Sequence, residues 1–239
     1  MHDWQRYGLM VAMGPILWLQ GKYVRKVTPR LPEPEGARSG ITGTGPRLRL
    51  LITGDSAAAG VGAASQSAAL SGQLLEQLAQ HFCVEWQLVA VSGLDSIGMM
   101  ALFENTPATK FDVVIMSMGA NDVTSLMSPS EWLSWQGRLA QEIQSRFEPE
   151  LLVHSAVPPM ERFTALPQPL RWFIGQWAAE MNRLLQSSLN NSSSRLFHHP
   201  FQERVPGGLA SDGFHPGTVA YTVWAQGLSR EILSRIDRP

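Results

Sequence analysis

From about residue 46 onward the chain alternates two hydrophobic patterns. Short, mostly apolar blocks such as Leu48-Arg49-Leu50-Leu51-Ile52-Thr53 read as buried strands, whereas leucines at 70, 74, 75 and 78 recur at the spacing of one helix face. On this reading strands cover residues 48–53, 84–91, 111–118 and 151–157, and helices cover 67–82, 96–105, 129–147, 170–189 and 218–236. A polar, turn-like stretch at 190–194 separates the long helix from a further strand. Strands that alternate with helices imply right-handed crossovers and a parallel sheet covered on both faces. The expected fold class is therefore α/β, a three-layer α/β/α sandwich around a central parallel sheet.

The N-terminal part breaks the pattern. Residues 28–45 carry Pro29, Pro32, Pro34, Gly36, Gly40, Gly43 and Gly45 with few apolar side chains, the composition of an extended linker. Ahead of it, residues 8–19 are mostly apolar and are flanked by Arg6 on one side and by Lys22, Arg25 and Lys26 on the other. That run falls short of the roughly 20 residues a spanning helix needs. The segment Gln20-Gly21-Lys22-Tyr23-Val24-Arg25 that follows lacks the small-residue cleavage site of a secretory signal. Two readings stay open for residues 1–27: an amphipathic, interfacial anchor with Trp4 and Trp18 at its ends, or a helix packed on the domain's own surface. The matching locations are the cytoplasm or the periphery of a membrane.

Composition narrows the class. With 239 residues, 44% hydrophobic and 16% charged, the chain can build one substantial core, so residues 46–239 are expected to form a single domain. A net charge of -1 without a dense basic cluster argues against nucleic acid and for a small, uncharged partner. The single cysteine, Cys83, cannot form an internal disulfide and reads as a buried thiol.

In an open parallel sheet, ligands bind beyond the carboxyl ends of the strands. Three motifs lie there: Gly54-Asp55-Ser56-Ala57-Ala58-Ala59-Gly60, Ser92-Gly93 and Gly119-Ala120-Asn121-Asp122. The small residues around Ser56 let the backbone turn sharply and expose a hydroxyl. A serine hydroxyl is a poor nucleophile until a base takes its proton, and that base must be oriented by a third group. Asp212 and His215, three residues apart on the expected loop before the last helix, offer both. Acyl transfer also needs donors aimed at the developing oxyanion. The backbone N–H groups of Ser56 and Gly93 and the side-chain amide of Asn121 are the candidates, and glycine at 93 permits close approach and unusual backbone angles.

Taken in order, Gly54-Asp55-Ser56, Gly93, Gly119-x-Asn121-Asp122 and Asp212-x-x-His215 resemble the four signature blocks of the SGNH (GDSL) hydrolases. The resemblance runs from Leu48 to the C-terminus, and the tract from Pro158 to Arg171 is similar to a bacterial esterase branch. It implies a flavodoxin-like sandwich, esterase, lipase, thioesterase or deacetylase chemistry on an acyl ester, and no metal or organic cofactor. It also implies Ser56 as nucleophile, Asp212 and His215 as the rest of the triad, and Ser56, Gly93 and Asn121 as the oxyanion hole. Ala57 stands where leucine is usual in the first block, which widens the space behind the nucleophile.

Other residues receive plainer readings. Asp122 is expected to accept backbone N–H bonds, and His154, alone in an apolar run, to be a hydrogen-bonded core residue. His198 and His199 are adjacent and would point to opposite faces of a strand, which disfavours a shared metal. Phe163 and Trp172, in or beside the proline-rich loop, are candidates to line an acyl pocket. Two other functions fit the same residues: an acyltransferase in which an alcohol beats water to the acyl-enzyme, and a non-catalytic binding module on the same fold. The glycines at 54–62 lack the spacing of a phosphate loop or dinucleotide site, and no Gly-x-Ser-x-Gly elbow is present.

Overall fold

The computed structural model describes residues 3–190 and 192–236. Six strands form one mixed sheet in the order β1-β3-β2-β4-β5-β6. They are β1 (Ser39–Thr42), β2 (Arg47–Gly54), β3 (Cys83–Ala90), β4 (Val113–Ser117), β5 (Leu151–Ser155) and β6 (Arg195–His198). Strands β2 to β6 run parallel, and β1 pairs antiparallel with the outer side of β3.

The period of two along each central strand sorts its side chains between the faces. Leu50, Ile52, Val113, Ile115 and Val153 share one apolar cluster with α3 (Leu70–Leu78) and α8 (Thr218–Leu233). Leu51, Val114, Met116 and Leu152 face the other way, onto α4 (Ser96–Glu104) and α6 (Pro129–Phe147). Both faces are thus covered, as the expected three layers require, and truncating one of these buried leucines to alanine would cost about 2–5 kcal/mol. The long helix α7 (Leu170–Leu189) packs beside α6, with Trp132, Phe173, Trp177 and Met181 in a third cluster.

Helix boundaries follow local chemistry. Ser128 Oγ accepts from Glu131 N at 3.2 Å and Pro129 opens α6, which is why that helix begins where the sequence indicates. The expected helix at 67–82 is shorter: a 3₁₀ turn at Gln66–Ala68 precedes α3, and the chain turns again after Leu78. The further strand beyond residue 194 is β6, and Asn191 in the polar turn before it lies outside the described residues.

The stretch read as a linker is stitched to the domain. Its residues 39–42 form β1, Arg38 donates to the Ala90 carbonyl, and Glu33 Oε1 accepts from Ser92 N at 2.9 Å. Ahead of it, α1 (Asp3–Val27) is docked on α7, with Leu17 and Val24 buried in the third cluster. The Gln20 amide donates to the Gln168 carbonyl at 2.7 Å and accepts from Leu170 N at 3.0 Å, satisfying an end group of α7. The side chains of Trp4 and Arg6 lie outside the described residues.

Candidate active site

The site lies at the carboxyl ends of β2, β3 and β4. Gly54 closes β2 against β4 so tightly that a Cβ there would stand 2.3 Å from the Ser117 carbonyl oxygen, so only glycine fits. Asp55 then caps the short helix α2 (Ser56–Ala59), its carboxylate accepting from Ala57 N at 3.0 Å. Ser56 is thereby presented on the first turn after the strand. Tyr221 of α8 holds this turn from below, the one hydrogen of its hydroxyl shared between the carbonyls of Val61 at 2.7 Å and Ala57 at 3.1 Å.

His215 arrives from the loop before α8. Its Nε2 stands 3.0 Å from Ser56 Oγ, and its Nδ1 stands 2.6 Å from Asp212 Oδ2. The other oxygen of Asp212 accepts from the backbone N–H groups of Phe214 and His215, each at 3.0 Å. Burial alone would raise the Asp212 carboxyl, but these hydrogen bonds outweigh it and hold the group below its ordinary pKa. A charged Asp212 favours the proton on Nδ1, which leaves Nε2 as the acceptor facing the serine.

Behind the serine the carboxyls are tuned the other way. Burial pushes Asp55 up to about 7, and the nearby charge of Asp122 adds to the rise. Asp122 is raised chiefly by burial, and its Oδ1 accepts from Ser96 N at 3.0 Å, so it tethers the start of α4. Asn121, in α5 (Ala120–Thr124), donates to the Leu94 carbonyl at 2.8 Å and reaches Asp55 Oδ2 at only 3.5 Å. The second amide hydrogen is therefore weakly committed. Gly93 has φ of +87°, and a Cβ there would meet nothing within 4 Å, so conformation rather than crowding selects glycine. Among the described residues neither Ser56 N–H nor Gly93 N–H has an acceptor.

A cavity of about 380 Å³ opens from Ser56 and His215 toward the β5 side. Its walls are largely apolar and include Ala57, Phe163, Phe201, Leu209, Phe214 and Trp224. Phe163 and Phe214 rings meet at a tilt, 4.8 Å between centroids, whereas Trp172 lies exposed on α7 and takes no part in the wall. Arg162 gathers three carbonyls of the facing loop, those of Phe201, Gln202 and Glu203, at 2.9–3.2 Å. Neither Arg162 nor Tyr221 belongs to a motif. The one signal for Tyr221 was a phenol on a buried face six residues beyond His215.

His154, His198, His199 and Cys83 take no part in the cavity wall. His154 is buried in β5, accepts from Arg195 at 3.2–3.3 Å, and is pulled down to about 3 by burial and the Arg195 charge. His198 ends β6 against Gly227, and His199 lies beyond the strand beside Phe197. Cys83 opens β3, half-buried and unpaired.

Comparison with known proteins bears on the fold and the family. Three solved structures share the fold: a member of the lipolytic protein G-D-S-L family from Veillonella parvula, an acetylxylan esterase from Geobacillus stearothermophilus and an extracellular lipase from Streptomyces rimosus. The first has 11% identity and a TM-score of 0.64, covering 79% of this chain and 99% of its own. The second has 17% identity and a TM-score of 0.56, with 80% and 95% covered. The third has 16% identity and a TM-score of 0.56, with 79% and 100% covered. A search of curated protein sequences gives no match. The sequence itself matches the GDSL-like lipase/acylhydrolase family over residues 52–223, and the chain is a member of that family of carboxylic ester hydrolases.

Proposed function

We propose that the chain is a serine esterase that hydrolyses small to medium acyl esters through an acyl-serine intermediate. The observation that carries this reading is the unbroken relay from Asp212 to His215 to Ser56, at 2.6 and 3.0 Å, ending at the mouth of an apolar cavity.

The chemistry runs in two halves. Ser56 Oγ attacks the ester carbonyl carbon while His215 Nε2 takes its proton, and Asp212 stabilises the imidazolium. The tetrahedral oxyanion is met by the N–H groups of Ser56 and Gly93 and by the weakly committed hydrogen of Asn121. Collapse expels the alcohol, which takes the proton from His215. Water then enters, His215 deprotonates it, and attack on the acyl-serine releases the carboxylic acid and restores Ser56. The cavity lies within the roughly 300–1,000 Å³ of small-molecule sites, and its apolar wall suits an acyl chain.

Hydrolysis of para-nitrophenyl acetate or butyrate, with fluorophosphonate labelling at Ser56, tests the assignment. Both should vanish in Ser56→Ala, and full turnover in that variant would overturn it.

A further inference from the structure

Helix α1 buries one face and leaves an apolar stripe uncovered. Leu17 and Val24 point into the protein, whereas Ile16, Trp18, Leu19, Tyr23 and Val27 are 49–61% exposed. Positions 16, 19, 23 and 27 recur at the three-and-four spacing of one helix face, so the exposed side chains form a continuous band. Single exposed apolar residues are ordinary, but a band of four on one helix face, with Trp18 exposed further round, marks a contact surface.

Charge identifies what the band contacts. Lys22 and Lys26 lie beside it, Arg25 further round the helix and Arg30 just beyond its end, and no acidic residue occurs between Trp4 and Pro32. Residues 1–30 hold five basic and one acidic side chain, whereas the remainder holds 14 basic and 19 acidic. Lys22 Nζ lies 3.8 Å above the Trp18 ring, placing a cation over an amphipathic aromatic. A second copy packed stripe to stripe would oppose like charges, because this part of the helix has no carboxylate to answer them. Among the described residues no helix is long and apolar enough to cross a membrane.

We infer that α1 docks the protein onto an anionic phospholipid surface, lying in the interface with Ile16, Leu19, Tyr23 and Val27 inserted and Lys22, Arg25 and Lys26 at the headgroups. Trp18 and Tyr23 take the interfacial level that such rings favour. The acidic remainder of the chain is repelled by the same surface, so the protein binds in one orientation. Because Leu17, Gln20 and Val24 stay engaged with α7 and the loop before it, docking requires no detachment of the helix.

The test is cosedimentation of the full chain with vesicles of phosphatidylcholine alone and of phosphatidylcholine mixed with phosphatidylglycerol. Binding is expected only with the anionic lipid and should weaken with salt. Lys22→Gln, Arg25→Gln and Lys26→Gln together should lower affinity on the order of a hundredfold, at about fivefold per charge. Ile16→Ser, Leu19→Ser and Tyr23→Ser together should abolish binding with little change in the thermal midpoint, since all three are 52–61% exposed. Failure to bind anionic vesicles, or binding untouched by both triple variants, would overturn the inference. So would a dimer that the serine variant dissociates while vesicles capture nothing. None of these readouts depends on ester hydrolysis, so the docking and the proposed reaction stand or fall separately.

Discussion

Asp212 holds His215 at two points, through Oδ2 on ring Nδ1 at 2.6 Å and through Oδ1 on the backbone N–H at 3.0 Å. One carboxylate thus sets both the tautomer of the base and the turn that carries it. Asp212→Asn keeps the shape but replaces a charged acceptor with a group that can also donate. With para-nitrophenyl butyrate, kcat should fall about ten-thousandfold with KM little changed, and a loss below about tenfold would remove Asp212 from the relay.

Asn121 is tested by its effect on the transition state alone. Asn121→Ala should lower kcat by about a hundredfold to a thousandfold while KM stays close to wild type. A rise in KM at constant kcat would mean that the amide binds substrate in its ground state.

Ala57 lies in the cavity wall beside Ser56. Ala57→Leu adds volume there without touching the relay. Against a series of para-nitrophenyl esters, the ratio of octanoate to acetate turnover should fall on the order of tenfold or more. An unchanged ratio would show that the acyl chain leaves the site by another path.

His154 governs part of the acid stability. Unfolded, its ring takes a proton near pH 6.5, whereas burial lowers the folded value to about 3. Between these values the unfolded chain holds the extra proton, so stability falls as pH falls, by about 1.4 kcal/mol per pH unit. His198, lowered by burial to about 4, acts in the same direction. His154→Gln retains an acceptor for Arg195 but cannot titrate. Denaturant melts from pH 4 to 6 should give a slope shallower by about 1.4 kcal/mol per pH unit, and an unchanged slope would contradict the burial argument.

Features written into local sequence were legible. Helix α6 announced itself through Ser128 and Pro129, and the relay residues through short motifs, one after β2 and one on the loop before α8. Features that depend on distant pairing were not. The segment Ser39–Thr42 has one large apolar residue, Ile41, which is 71% exposed, so β1 exists because β3 offers it hydrogen bonds and not because of its own pattern. The break before α3 arises because Gln66 is tied to the Ala59 carbonyl and to Ser71. Glycine at 93 was readable as a conformational need, whereas the role of Arg162, within the proline-rich tract, was not, since it works by collecting backbone carbonyls that leave no trace in the sequence.

That collection by Arg162 bears on how a ligand is received. The strand-free stretch at 201–203 would otherwise have to be immobilised by whatever enters beside it, and each ordered side chain or loop segment subtracts from the binding free energy. With its three carbonyls already gathered by one guanidinium, that wall holds its shape while empty, and an incoming ligand spends its contacts on burial instead of on building its own receptacle.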